Sequence, residues 1–169
     1  ENLLSSYSKN IMVIDDLPNR KHTCNLFLNY NYTKSTIKDY KNFLSKNSKI
    51  LLGPKYALLS SEYTNLRKKF LKHPTNKISN ILLSLGGSDN ENITSFVIDV
   101  LSETEFSHLK LNVVIGMNNK NRDIILQKVN KRANTFIHEG LTNIASLLAN
   151  TDLCIGAGGL STWERICLA

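Results

Sequence analysis

Two glycine-rich stretches carry the clearest chemical signal in this 169-residue chain. The first reads Leu85-Gly86-Gly87-Ser88-Asp89. The second reads Ile155-Gly156-Ala157-Gly158-Gly159-Leu160-Ser161-Thr162-Trp163-Glu164. Each follows a short apolar run and leads into a helical pattern, so each predicts a strand-to-helix turn. Glycine allows a positive φ and lets a ligand approach the main chain closely. The helix that follows offers unpaired N–H groups and the positive end of its dipole. That combination suits a phosphate or a pyrophosphate. Neither turn is the dinucleotide fingerprint, which needs GxGxxG and a distant acid, and neither is a Walker loop, because no Gly-Lys-Ser/Thr follows.

Ser88 and Ser161 each have a glutamate three residues on, Glu91 and Glu164. Both pairs match the capping box, in which a Ser oxygen and a Glu carboxylate satisfy helix N-terminal N–H groups. Glu164 has a second reading, as a carboxylate accepting hydrogen bonds from two ribose hydroxyls, and the spacing alone favours the cap. Of the four histidines, His22 reads as a solvated loop residue and His73 as part of a linker. His108 lies in a connection, and His138 follows a short strand. No pair of them has metal-ligand spacing on a helix. Asp15 and Asp16 end an apolar run, where they could divide acid and base roles or simply hold the loop. Cys154 reads as a core residue and Trp163 as packing beneath the second glycine turn.

The elements that must position these groups follow from hydrophobic periodicity. Strands are predicted at residues 10–15 (NIMVID, as a buried strand), 25–29, 49–52, 80–85, 109–115, 135–137 and 152–155. Helices are predicted at 36–44, 61–71, 92–101, 122–129, 142–149 and from 162 onward. The helix at 92–101 is expected to bury Ile93, Phe96, Val97 and Val100. Residues 73–76 (His-Pro-Thr-Asn) break the pattern. Strand and helix then alternate strictly, which predicts a parallel sheet with ligands beyond the carboxyl ends of its strands. The expected domains are residues 1–72, a linker at 73–78 and a second domain at 79–169.

The composition bounds the partners. Hydrophobic residues make up 41% of the chain, enough for a globular core. No apolar run approaches the ~20 residues of a membrane span, and residues 1–10 lack the pattern of a signal peptide. The net charge of +7 permits anionic partners. The lysines are scattered, however, and aromatics do not interleave with them, so nucleic acid is not expected. Cys24, Cys154 and Cys167 are odd in number and far apart. They predict reduced thiols in a cytoplasmic protein, with no disulfide scaffold and no zinc site.

Four segments in order carry a family resemblance: residues 14–29 (IDDLPNRKHTCNLFLN), 51–63 (LLGPKYALLSSEY), 81–94 (ILLSLGGSDNENIT) and 151–168 (TDLCIGAGGLSTWERICL). The chain resembles the UDP-sugar hydrolases of pseudaminic acid biosynthesis, also known as spore coat polysaccharide proteins. These are relatives of the MurG glycosyltransferase. The resemblance implies an α/β fold of the GT-B type, with two Rossmann-like domains, the second of which grips UDP. It also implies hydrolysis of UDP-2,4-diacetamido-2,4,6-trideoxy-β-L-altropyranose to UDP and the free sugar, with no metal and no cofactor. By this resemblance Gly86, Gly87, Ser88 and Asp89 form one phosphate-side loop. Gly158, Gly159, Leu160, Ser161 and Thr162 form the other, Glu164 takes the ribose, and Phe136, Ile137 and His138 lie near the uracil through main-chain groups. The family's Gly-x-Gly-His turn, which carries its proposed acid or base, does not occur in the chain. The expectation is therefore a fragment with most of the first domain missing, inactive alone, its catalytic residue unassigned. A glycosyltransferase of the same fold and a non-catalytic nucleotide-sugar-binding module are the alternatives.

Overall fold

The computed structural model describes residues 1–69 and 77–169, so the expected linker at 73–76 and the end of the helix at 70–71 lie outside the described residues. The chain forms two compact units, Glu1–Leu58 and Leu59–Ala169.

The first unit is a three-stranded parallel sheet of β1 (Met12–Ile14), β2 (Leu26–Asn29) and β3 (Lys49–Leu52), in that order, with α1 (Ile37–Lys41) between β2 and β3. The middle strand β2 buries Phe27, Leu28 and Asn29, as a strand paired on both sides must. The expectation of a buried β1 is corrected. Met12 and Ile14 are exposed and only Val13 packs inward, onto Cys24, Phe27 and Tyr40. Among the described residues β1 pairs with β2 alone and forms one edge of this sheet.

The β1–β2 connection is held by charge. Asp15 Oδ1 accepts hydrogen bonds from the N–H groups of Asp16 (2.8 Å) and Leu17 (3.3 Å), and Oδ2 accepts one from Arg20 Nε at 2.5 Å. His22, expected in solvent, is buried. Its Nδ1 lies 2.7 Å from Glu1 Oε1 and its Nε2 3.1 Å from Asp15 Oδ2. Glu1 holds one nitrogen of this buried ring, while Nε2 makes no hydrogen bond to the nearby Asp15.

The second unit runs α2 (Ser61–Lys69), β4 (Asn80–Ser84), α3 (Ile93–Leu101), β5 (Lys110–Ile115), α4 (Arg122–Lys131), β6 (Thr135–Glu139), α5 (Ala145–Ala149), β7 (Leu153–Gly156) and α6 (Leu160–Leu168). Its four strands are all parallel, in the order β6-β5-β4-β7. The expected Rossmann-like α/β architecture is present, and helix α2 packs within this unit against α5 and α6. Alternation along β4 fills both faces of the sheet. Ile81 and Leu83 meet Ile98 and Leu101 of α3 and Ile125 and Val129 of α4. Leu82 meets Tyr63 of α2 with Ala145 and Leu148 of α5.

One expected face is corrected. Helix α3 buries Thr94, Ser95, Ile98 and Leu101 and packs half-buried Val97 on the core as expected, while Ile93, Phe96 and Val100 are exposed. The helix carries apolar residues on two stripes, and its own periodicity does not say which one docks. Helix α5 starts three residues later than expected, where the Asn143 side chain accepts a hydrogen bond from the Ala145 N–H at 3.1 Å. The buried Arg132 spends all five of its donors. They go to the carbonyls of Leu101, Phe106, Leu109 and Ala133 and to the Thr135 hydroxyl, locking the end of α3 to β6.

Two outcomes follow. Ile98 is fully buried and Phe96 is 64% exposed. Ile98→Ala is expected to destabilise the second unit by about 2–5 kcal/mol and Phe96→Ala by less than about 0.5 kcal/mol, as measured by urea unfolding. In the first unit, Arg20 is the main cause that holds the Asp15 carboxyl down, from 3.8 to about 2. A carboxyl depressed on folding stabilises above its unfolded pKa and loses that contribution as pH falls through its folded one. Stability of the first unit should therefore drop between about pH 4 and pH 2, and Asp15→Asn should flatten that part of the profile in acid titrations followed by circular dichroism.

Candidate functional site

Strand order decides which turns meet. The chain moves outward from β4 to β5 to β6, then returns to place β7 on the other side of β4. The direction of winding thus reverses between β4 and β7, which is where open parallel sheets form a ligand crevice beyond their carboxyl ends. Ser84 pairs with Gly156 at the last rung of these two strands. The turns at Gly86–Gly87 and Gly158–Gly159 therefore leave neighbouring strands on one edge of the sheet. All four glycines are exposed, so the main chain there is open to a ligand. Gly86 at φ +84° and Gly159 at φ +98° occupy the region that side chains disfavour.

The two helices that follow are capped differently. The Asp89 carboxylate accepts hydrogen bonds from the N–H groups of Ile93 (3.0 Å) and Thr94 (2.9 Å), so the start of α3 already holds a negative charge. This corrects the Ser88–Glu91 capping box: both of those side chains are exposed, and Asp89 does the work. Helix α6 starts from Gly159, with no side chain capping it. Its first turn is the one left for an external anion. The Ser161–Glu164 box is not formed either, because Ser161 lies inside α6, where its hydroxyl donates to the Ala157 carbonyl at 3.4 Å. Glu164 sits half-buried one turn into the helix.

Two residues that the sequence reading missed shape the turns. Arg165 Nη2 donates to the Ala157 carbonyl (2.7 Å) and to Thr162 Oγ1 (3.1 Å), and Nη1 donates to Ser161 Oγ (3.3 Å). Its guanidinium lies against Gly156, where any Cβ would strike it. Gly116, just past β5, is closed in by backbone. A Cβ there would collide with the carbonyl oxygens of Gly86 and Gly87 and with Gly87 Cα. The same loop grips the first turn through the Asn118 N–H, which donates to the Gly87 carbonyl at 3.1 Å. The Asn121 amide also donates to the Asp89 carbonyl, again at 3.1 Å. The legible signal was Ile115-Gly116, a third strand ending in glycine.

Phe136, Ile137 and His138 are not gathered with the turns. They lie on β6, the edge strand farthest from β7. His138 Nε2 is 3.0 Å from Asn112 Oδ1, and Asn112 donates to Asn80 Oδ1 at 2.7 Å, forming a polar ladder across three strands. Burial, with Lys110 nearby, holds the His138 pKa below its usual value. The Phe136 ring lies under the Lys110 ammonium at 4.9 Å. Cys154 packs at the margin of the core, where burial pushes its thiol up, and Trp163 is half-buried on α6. Among the described residues no cluster of three or more His, Cys, Asp or Glu is placed to hold a metal ion, and no helix is long and apolar enough to cross a membrane.

Comparison with known proteins adds two relatives. The chain is similar to the uncharacterized protein MJ1062 of Methanocaldococcus jannaschii, with 31% identity over 139 residues, covering 79% of this chain and 28% of that protein. It is also similar, more distantly, to the spore coat polysaccharide biosynthesis protein SpsG of Bacillus subtilis. There the identity is 24% over 127 residues, covering 75% of this chain and 37% of that protein. The chain thus spans well under half the length of either relative. No protein-family model matches it.

The backbone contact at Gly116 generates a sharp test. Gly116→Ala is expected to cost about 1–3 kcal/mol through overpacking and to strip hydrogen-exchange protection from the Asn118 amide. Gly87→Ala, where a methyl group would meet open space and φ is not positive, should leave both nearly unchanged.

Proposed function

We propose that the second unit binds the nucleoside diphosphate end of a nucleotide-linked sugar, and that the protein acts in polysaccharide biosynthesis. The observation that carries this reading is the pairing of two exposed glycine turns at the β4–β7 reversal, one of them opening an uncapped helix. A diphosphate needs main-chain N–H donors and positive potential along its length. The first turn of α6 offers both, and the Arg165 guanidinium held under the second turn adds positive charge. Helix α3, already neutralised by Asp89, offers less, so Gly86, Gly87 and Ser88 would contribute main-chain contacts rather than a helix dipole. The similarity to a spore coat polysaccharide biosynthesis protein points in the same direction.

The base is uracil in this reading and Glu164 takes the ribose hydroxyls. A carboxylate that is not engaged as a cap keeps acceptor capacity for them. Phe136 and His138 have side chains committed to Lys110 and Asn112, so any help from β6 to the base comes from its main chain. The reaction is hydrolysis: water attacks the anomeric carbon, the bond to the diphosphate oxygen breaks, and UDP leaves with its charge held by the α6 turn. The substrate is UDP-2,4-diacetamido-2,4,6-trideoxy-β-L-altropyranose. No residue of this chain is assigned as the acid or base, and its part is to bind and orient the nucleotide.

Calorimetric titration of UDP tests the ribose role. Glu164→Gln weakens a charge-assisted hydrogen bond worth about 1.5–3 kcal/mol, so affinity should fall roughly ten-fold or more with the melting temperature little changed. Equal affinities would remove Glu164 from the site, and a folded wild type that binds no UDP would end the nucleotide assignment.

A further inference from the structure

We infer that the first unit carries a binding site of its own, for a neutral sugar ring, at the carboxyl ends of β1 and β2. The inference does not depend on the nucleotide reading of the second unit. A cavity of about 230 Å³ opens there, between residues 14–16, which leave β1, and residues 28–31, which leave β2. The two strands are parallel neighbours, with Ile14 beside Leu28 at the last rung. Parallel sheets take ligands beyond the carboxyl ends of their strands. Pockets for drug-sized molecules hold about 300–1,000 Å³, so this smaller one suits a single ring.

The walls are held before any ligand arrives, and such ordering is a source of affinity. The Asp15 N–H donates to the Leu28 carbonyl at 3.1 Å. Asn29 is 2% exposed; its Nδ2 donates to the Tyr40 hydroxyl of α1 at 2.8 Å, and its Oδ1 accepts from the Asn31 N–H at 2.9 Å. The Tyr40 hydroxyl in turn donates to the Asp16 carbonyl at 3.3 Å. A buried amide and a buried phenol thus fix the main chain on both sides of the cavity.

The groups left unspent define the ligand. The Asp15 carboxylate is occupied by Arg20 and by the N–H groups of Asp16 and Leu17. The exposed Asp16 carboxylate receives one long hydrogen bond, from Asn31 Nδ2 at 3.4 Å. Among the described residues Asp16 Oδ1 and Asn31 Oδ1 accept none. The cavity therefore offers acceptors, one of them charged, so a ligand must bring donors and must not be an anion. Sugar hydroxyls meet that demand. Ile14, Leu28 and half-buried Tyr30 add apolar lining for the C–H groups of a ring, and an apolar wall with a few placed polar groups is how small-molecule sites are built. A calcium ion fits less well, since it takes about six to eight oxygens and only Asp16 and Asn31 have side-chain oxygens to spare.

The test follows the backbone amide signals of the isotope-labelled full chain by NMR during titration with glucose, galactose and N-acetylglucosamine, and separately with calcium chloride. At least one of the sugars is expected to shift the amides of Asp15, Asp16 and residues 29–31 and to saturate at millimolar concentration. Asp16→Ala removes a charge-assisted hydrogen bond and should weaken that sugar roughly ten-fold or more. Should Asp16→Ala fold poorly, Asp16→Asn keeps the shape and, by removing the charge alone, should still weaken binding roughly three-fold or more. No shift of these amides with any of the three sugars would overturn the inference. So would an unchanged affinity in the folded Asp16 variant, or saturation by calcium in place of sugar. None of these outcomes touches the nucleotide site, which the UDP titration decides.

Discussion

The return of β7 to the side of β4, instead of onward past β6, is the constraint on which the rest of the second unit depends. It makes β4 a central strand, buried on both faces, and explains why residues 81–83 are an unbroken apolar run. It also sets two strand-to-helix turns side by side at the carboxyl edge. Each turn alone is an ordinary tight connection. Adjacent, they bring two stretches of exposed main chain to one edge of the sheet, where α6 begins.

That edge is asymmetric in charge. Asp89 spends its carboxylate on α3, so this helix start is satisfied internally and is anchored rather than receptive. Gly159 leaves α6 without such a cap, and Arg165 reaches back from the next helical turn to brace Ala157. The cation also organises the turn through three hydrogen bonds, so its charge is fixed beneath the loop. Gly116 does for the first turn what Gly156 does for the second. Each is a residue without a side chain, where something else must pass: backbone at one, guanidinium at the other.

Several polar groups elsewhere are joined in small sets. Asn80, Asn112 and His138 join three strands across one face of the sheet, and the Asn80 amide continues to the Asn150 carbonyl. In the first unit His22 and Asp15 do similar work with Glu1 and Arg20. Leaving such groups unpaired would cost about 1–3 kcal/mol each.

Local pattern was enough to locate the elements and the turns. The strand at residues 49–52 and the glycine turns lie where apolar runs and glycines put them, and strict alternation after residue 79 implies the parallel sheet, because strand and helix periods differ and leave separate marks. Local pattern did not decide which stripe of α3 docks, that β1 is exposed, or that Asp89 rather than Ser88 caps α3. Each depends on what lies opposite in space, and a residue's own neighbours do not carry that information. Nor could it show Gly116 beneath Gly86 and Gly87, since those partners lie about thirty residues apart in the chain. Composition and periodicity record the local preference of each segment, whereas the site is made by strand order, and strand order is settled only when the two faces of the sheet compete for helices to cover them.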